Sequence, residues 1–468
     1  MTVNTVLKNG RVVTPSGIFE GGLAIESGKI VAIAKNSLLP PAEETIDVKG
    51  GHILPGLIDA HSHCHGMGRS DWEDFETGTR AAAAGGISTI FEMPITTPPT
   101  STNEAFLEKK RIMEKKAVVN FALYGGAGSQ NIDEIPKLAA EGAIAFKTFM
   151  PPPMPGREKD LWGLYITDDG SFLEVLRTIG RTGSISCIHA ENAEIVNYLQ
   201  NRLQSEGRMD LSAFLESRPG IVEAEAVSRA AMFASMTETR MHIAHVCAKE
   251  AVEVIEEVKR TGQALTAETC HNYLTFSHDE VKHLGPYAKM YPPIRNAEDR
   301  SMLWKALHQG VIDIVTSDHG PFTKNCKEAG HEDIWKAFLG VPAFDVMLPV
   351  MLTHVNRGLM TLQDLIKVLS ENVAKIFGLY PRKGVLQIGA DADIVVVDLK
   401  RKKKLNIQDF YTKAKDVSLI YDGFEVRGIP VLNMVRGVKV MKDGEVIGKP
   451  GTGQFVKSNK ETSNGAPC

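Results

Sequence analysis

Residues 61–63 read His-Ser-His in a chain of 468 residues. In an extended segment, residues two apart project to the same side, so His61 and His63 can grip one ion together. Imidazole nitrogen and carboxylate oxygen suit Zn2+ and its neighbours Mn2+ and Co2+. An isolated pair of this kind reads more readily as a surface or satisfied feature, and only company changes the weighing. That company exists: His189, His245 and Asp318 lie in or just beyond other apolar runs, and Lys147 lies inside a further one. A lone lysine in such a run would carry its amine out to solvent. Beside a pair of divalent ions, however, an ammonium is repelled, and burying it unpaired is costly. Reaction of the Lys147 amine with CO2 gives a carbamate, N6-carboxylysine, whose oxygens can bridge the ions. Carbamate, Asp318 and one hydroxide leave such a pair with net positive charge to polarise a carbonyl.

These residues must be held by elements that the apolar pattern marks out. Strand-like runs occur at 53–59, 87–92, 118–124, 143–149, 184–189, 241–246, 265–269 and 312–317. Helical patterns fall between them at 75–84, 105–115, 172–181, 222–235, 248–261 and 299–308. Alternation of buried strands with helices implies an α/β fold with parallel strands. Strands at this spacing predict a (β/α)8 TIM-type barrel over residues 53–384; the rival open sheet lacks a G-x-G-x-x-G after its first strand. On a barrel, chemistry gathers at the strands' C-terminal ends, which brings His61, His63, Lys147, His189, His245 and Asp318 to one rim. His242, three residues before His245, is expected on the other side of its strand in a structural role. Short β patterns in 1–52 and 385–456 predict a small β-sandwich domain built from both ends, with a flexible tail over 457–468.

Composition excludes several function classes. The chain is 43% hydrophobic and 24% charged, and its 53 basic against 57 acidic residues give a net charge of −4 with no long block of either sign. Nothing here points to nucleic acid or an acidic membrane surface as partner. No apolar run approaches the roughly 18 residues of a membrane span, and no basic, then apolar, leader opens the chain. The six cysteines form no C-x-x-C; they read as free thiols in a reducing compartment, so the expected location is cytoplasmic.

The stretch Gly56-Leu57-Ile58-Asp59-Ala60-His61-Ser62-His63 resembles the opening strand of the cyclic amidohydrolases, the group of hydantoinases, dihydropyrimidinases, allantoinases and dihydroorotases. Phe146-Lys147, His189-Ala190-Glu191-Asn192, His242-Ile243-Ala244-His245-Val246 and Ser317-Asp318-His319 are similar to that family's further ligand motifs, and the resemblance covers nearly the whole chain. It implies a carboxylated Lys147, Asp318 as the proton-shuttling catalytic residue, and a homotetramer or homodimer acting on a small cyclic amide. Glu92-Met93-Pro94-Ile95-Thr96-Thr97-Pro98-Pro99-Thr100 resembles the bacterial L-selective hydantoinases, which open 5-substituted hydantoins to N-carbamoyl amino acids. Gly68-Arg69 and Trp72 are more similar to allantoinases, the alternative.

Departures narrow the choice. Where dihydroorotases carry an arginine for the substrate carboxylate, this chain has His65. Where dihydropyrimidinases and D-selective hydantoinases carry a tyrosine after the lysine strand, it has Met150-Pro151-Pro152-Pro153-Met154-Pro155, a stiff run expected to shape a pocket wall. His65, Arg69, Asn192 and His319 are the expected substrate contacts. A scaffold homologue that keeps the fold without catalysis is disfavoured, because all six ligand positions hold competent residues.

Overall fold

The computed structural model describes residues 2–154 and 156–458. The tail expected over 457–468 therefore lies, from residue 459 onward, outside the described residues.

Strands from both ends of the chain are hydrogen-bonded into one nine-stranded sheet. Val3–Thr14 pairs antiparallel with Gly17–Glu26, which pairs with Lys29–Ala34. Ile394–Lys404, Glu425–Val435 and Val438–Lys442 extend the same sheet. The last hairpin turns at Asp443 and Gly444, with φ of 50° and 88°, the left-handed pair that tight hairpins require. The two ends are joined by His52–Pro55, parallel to Val3–Thr14 and antiparallel to Ile394–Lys404.

That junction corrects one expectation. The run 53–59 is two strands: His52–Pro55 belongs to the nine-stranded sheet, and Leu57–Ser62 begins the parallel set. Gly56 separates them where a Cβ would meet the Ser88 side chain at 2.3 Å. Apolar content alone could not show the break, since both halves are buried.

Parallel strands follow in two ladders. One comprises Leu57–Ser62, Ile87–Glu92 and Asn120–Leu123; the other runs from Gly125–Gly126 through Phe146–Phe149, Ile185–His189, Arg240–Ile243 and Leu265–Cys270 to Ile314–Thr316. Tyr124 carries the chain from one to the other, its N–H donating to Glu92 O while Gly125 N–H donates to Ala145 O. At the far edges, the Ser317 N–H donates to Asp59 Oδ1 at 3.0 Å, and Ser62 bridges in parallel to His319. Every residue of Leu57–Ser62, Ile87–Glu92 and Ile185–His189 is buried, as parallel strands covered on both faces must be. Helices between the strands supply the cover. Phe75–Ala84 is one: its N-cap Asp74 accepts from the N–H groups of Glu76 and Thr77, and Phe75, Ala81 and Ala82 are buried.

Candidate metal centre

Five of the six expected ligands lie at or just past the C-terminal ends of parallel strands, and Lys147 lies within Phe146–Phe149. The His61 and His63 rings, released from the end of Leu57–Ser62, aim their Nε2 atoms at one oxygen, Asp318 Oδ1, each at 3.4 Å. Ligand atoms of these three residues fall within 4.8 Å of one another. On the neighbouring strands, His189 Nδ1 and His245 Nε2 face each other at 2.9 Å. The His61 and His245 ring centroids are 5.3 Å apart, which joins the two groups. Two of the expected ligands hold left-handed backbone: φ is 38° at His245 and 46° at Asp318. Such conformations cost on the order of 1–3 kcal/mol for non-glycine residues and gather at functional sites.

Carboxylates behind the histidines decide which nitrogen faces inward. Glu268, buried in Leu265–Cys270, accepts from His61 Nδ1 and from His242 Nε2 (3.1 Å). With its Nδ1 proton held there, His61 presents a bare Nε2 toward Asp318. Burial opposes charge on Glu268, but the His61 and His242 rings outweigh it and hold its carboxyl well below the ordinary range. Glu191 accepts from His189 Nε2 at 3.2 Å and leaves the Nδ1 lone pair facing His245. Carboxylate–histidine pairs of this kind orient metal ligands and raise their basicity.

The residues fit a pair of divalent ions. Burial, above all, pushes the His63 and His245 imidazoles well below their usual pKa, keeping them neutral with lone pairs available. The Nδ1 atoms of both rings and Lys147 Nζ are buried without a hydrogen-bond partner. Lys147 is 0% exposed, and a buried, unpaired amine beside imidazoles and a carboxylate is the setting that conversion to a bridging carbamate would satisfy. Burial also raises the Asp318 carboxyl, against the pull of His61.

The pocket over this cluster is lined by all six residues, by His65, Phe322 and Tyr291, and by the run from Pro151 to Met154. A larger groove of about 850 Å³ crosses the nine-stranded sheet past Lys49 and Arg401, but it contains none of the six.

The four expected substrate contacts divide. His65 lines the pocket with Nε2 buried and unpartnered, its ring stacked 5.9 Å from His63. Arg69 lies outside the lining, 42% exposed, with its guanidinium 4.9 Å from the Trp72 ring. Asn192 is a helix cap: its carbonyl accepts from the N–H groups of Glu194 and Ile195, and its amide donates to Glu225 at 2.6 Å. The His319 ring is fully buried and stacked on Phe344, with Nδ1 accepting from the N–H groups of Ala343 and Phe344. Neither Asn192 nor His319 lines the pocket. His242, expected on the opposite side of its strand, instead shares Glu268 with His61, because the strand ends at Ile243 and alternation stops there.

Sequence reasoning missed Glu268, Glu191, Arg157 and Tyr291. Glu191 repeats the two-residue spacing of His61 and His63, and Glu268 is a charge inside an otherwise buried strand; either signal was available. Arg157 and Tyr291 come from irregular segments and left none.

The chain is similar to known proteins over nearly its whole length. The profile of the amidohydrolase family matches residues 52–440. An L-hydantoinase of Paenarthrobacter aurescens is 39% identical over 463 residues, 98% of this chain and 99% of that one. An allantoinase of Deinococcus radiodurans is 36% identical over 453 residues, covering 96% and 98%. The solved structure of the L-hydantoinase (dihydropyrimidinase) from Arthrobacter aurescens superposes with a TM-score of 0.93 at 38% identity, covering 97% of this chain and 100% of that one.

Proposed function

The chain belongs to the amidohydrolase family, as a hydrolase of cyclic amides in the hydantoinase, allantoinase and dihydropyrimidinase group; from that premise we propose that it opens 5-substituted hydantoins to N-carbamoyl amino acids. One observation carries the choice of ring. Apart from the cluster, His65, Arg157 and Tyr291, the pocket lining is largely apolar, with Ile95, Pro151, Pro152, Met154, Leu161 and Leu339, which suits a hydrocarbon substituent. The ureido group of allantoin would set several polar atoms against these side chains.

On this reading the two parallel ladders close into a (β/α)8 barrel, joined at one seam through Tyr124 and at the other through Asp59 and Ser317. His61, His63, Lys147 as its carbamate, His189, His245 and Asp318 would hold the pair of ions. When bound, the ions supply an activated water and polarise the scissile carbonyl; Zn2+ is favoured by the ligand set. Asp318 Oδ1 faces the histidine pair, and the carboxylate takes the proton of the attacking water. It then delivers that proton to the departing ring nitrogen, a poor leaving group unless protonated. Tyr291 and the proline run close the pocket against bulk water. The working form is a cytoplasmic homotetramer or homodimer.

Allantoin hydrolysis is the second reading, favoured by the Deinococcus relative and by Arg69 and Trp72 near the pocket. A panel of 5-substituted hydantoin, allantoin, dihydrouracil and dihydroorotate, assayed on metal-loaded protein, tests both. The hydantoin should give the highest kcat/KM and dihydroorotate the lowest, since His65 offers no fork for a carboxylate borne directly on the ring. A clear win for allantoin installs the second reading; a win for dihydroorotate removes both.

A further inference from the structure

Arg157 lines the same pocket as His63 and Lys147. Its side chain is only 13% exposed, and its guanidinium lies 5.5 Å from the ring centres of both Trp72 and Phe338. Its Nε donates to Asp160 Oδ2 at 2.7 Å, and among the described residues its side chain makes no other hydrogen bond. The outer nitrogens of the fork are therefore free to meet a ligand. Asp160 does not neutralise the region by itself. Arg69 Nη2 approaches the same carboxylate at 3.9 Å, and the Thr97 hydroxyl donates to its other oxygen, so two guanidinium groups share one acid.

A neutral cyclic amide has no use for this cation, and enclosing a guanidinium without a full partner is costly. A run of rings leads from the cluster to this charge: His63 stacks on His65 at 5.9 Å, His65 meets Trp72 at 5.2 Å, and the Arg157 guanidinium lies 5.5 Å from the Trp72 ring. The pocket thus combines apolar side chains with a positive charge, the complement of an aliphatic stem with an anionic tip. Arginine suits carboxylate specifically, because its planar fork binds both oxygens.

We propose that Arg157 makes this pocket selective for hydantoins whose 5-substituent is a short aliphatic chain ending in a carboxylate. The proposal rests on the ring-opening reading above and names the substrate class of that site.

The test compares 5-(2-carboxyethyl)hydantoin with its uncharged analogue 5-(2-carbamoylethyl)hydantoin on the metal-loaded enzyme. The ratio of kcat/KM, acid over amide, should exceed one by about 10- to 100-fold, the range of a hydrogen-bonded charge pair. It should fall at least about tenfold in Arg157→Gln and be partly retained in Arg157→Lys, which keeps the charge and loses the fork. A merely structural role would lower both substrates together and leave the ratio unmoved. Should Arg157→Gln fail to fold, the wild-type ratio and Arg157→Lys still decide. Turnover of both rings with a wild-type ratio at or below one, or a ratio unmoved by the substitutions, overturns the assignment of Arg157 alone. Turnover of neither ring overturns the ring-opening reading beneath it.

Discussion

Asp318 meets the Nε2 atoms of His61 and His63 through a single oxygen, Oδ1, which leaves Oδ2 to handle a proton. Asparagine keeps the shape and one oxygen for the ion but cannot accept and return a proton. Asp318→Asn should therefore fold, keep much of its metal and lose at least ~10²-fold in kcat, within the ~10²–10⁴-fold range of general acid–base help. A loss confined to KM would reduce Asp318 to positioning. Lys147→Ala should lose most bound metal and activity, with partial rescue by short carboxylic acids standing in for the carbamate; full activity without supplement would remove the bridge. At this scale the sequence was most informative. The six residues expected as ligands, read from residue type at or near strand ends, all line one pocket. Asn192 and His319 misled because proximity in sequence to a ligand does not fix orientation. Asn192 turns back to cap the helix Ala193–Ser205, and His319 turns onto Phe344.

At the scale of elements, the segment 334–340, a 3-10 turn at Ile334–Lys336 followed by chain that brings Leu339 and Gly340 to the pocket, is held by two buried lysines. Lys289 Nζ donates to the carbonyls of Ile334 (2.6 Å) and Ala337 (2.7 Å), and Lys327 Nζ to those of Lys289 (2.9 Å) and Phe338 (3.0 Å). Burial drives the Lys327 amine down to about 7, with Cys326 pulling weakly the other way. Between that value and the unfolded pKa near 10.5 the unfolded chain binds more protons, so stability rises with pH across this window. The cost of the buried charge is present in full only below about pH 7. Relative to Lys327→Met, the wild type should gain on the order of 3 kcal/mol between pH 7 and pH 10, measured by denaturant unfolding. Parallel curves for the two proteins would mean that Lys327 keeps an ordinary pKa. No sequence pattern foretold this clamp, since lysines bound to carbonyls look like surface lysines. Strands were legible where burial was uniform, as at Ile87–Glu92. They were not where two buried strands abut, as at Gly56, or where backbone turns left-handed, as at His245.

For the whole molecule, the long-range pairings were the least legible feature. His52–Pro55 joins residues from opposite ends of the chain, and Asp59 reaches Ser317 across 258 positions. The Asp59 carboxyl, raised by burial to about 7, is steadied by the Ser317 hydroxyl and N–H and by the His61 N–H. These contacts bring His61 and His63 against Asp318, so the candidate metal-binding cluster is a product of the complete fold and not of any one segment. Among the described residues no helix is long and apolar enough to cross a membrane. The account as a whole is tested most directly by following N-carbamoyl amino acid formation from a 5-substituted hydantoin before and after chelation. The metal-loaded protein should form the product, the chelated protein should not, and added divalent metal should restore it. No product from metal-loaded protein, or product undiminished after the metal is removed, would contradict it.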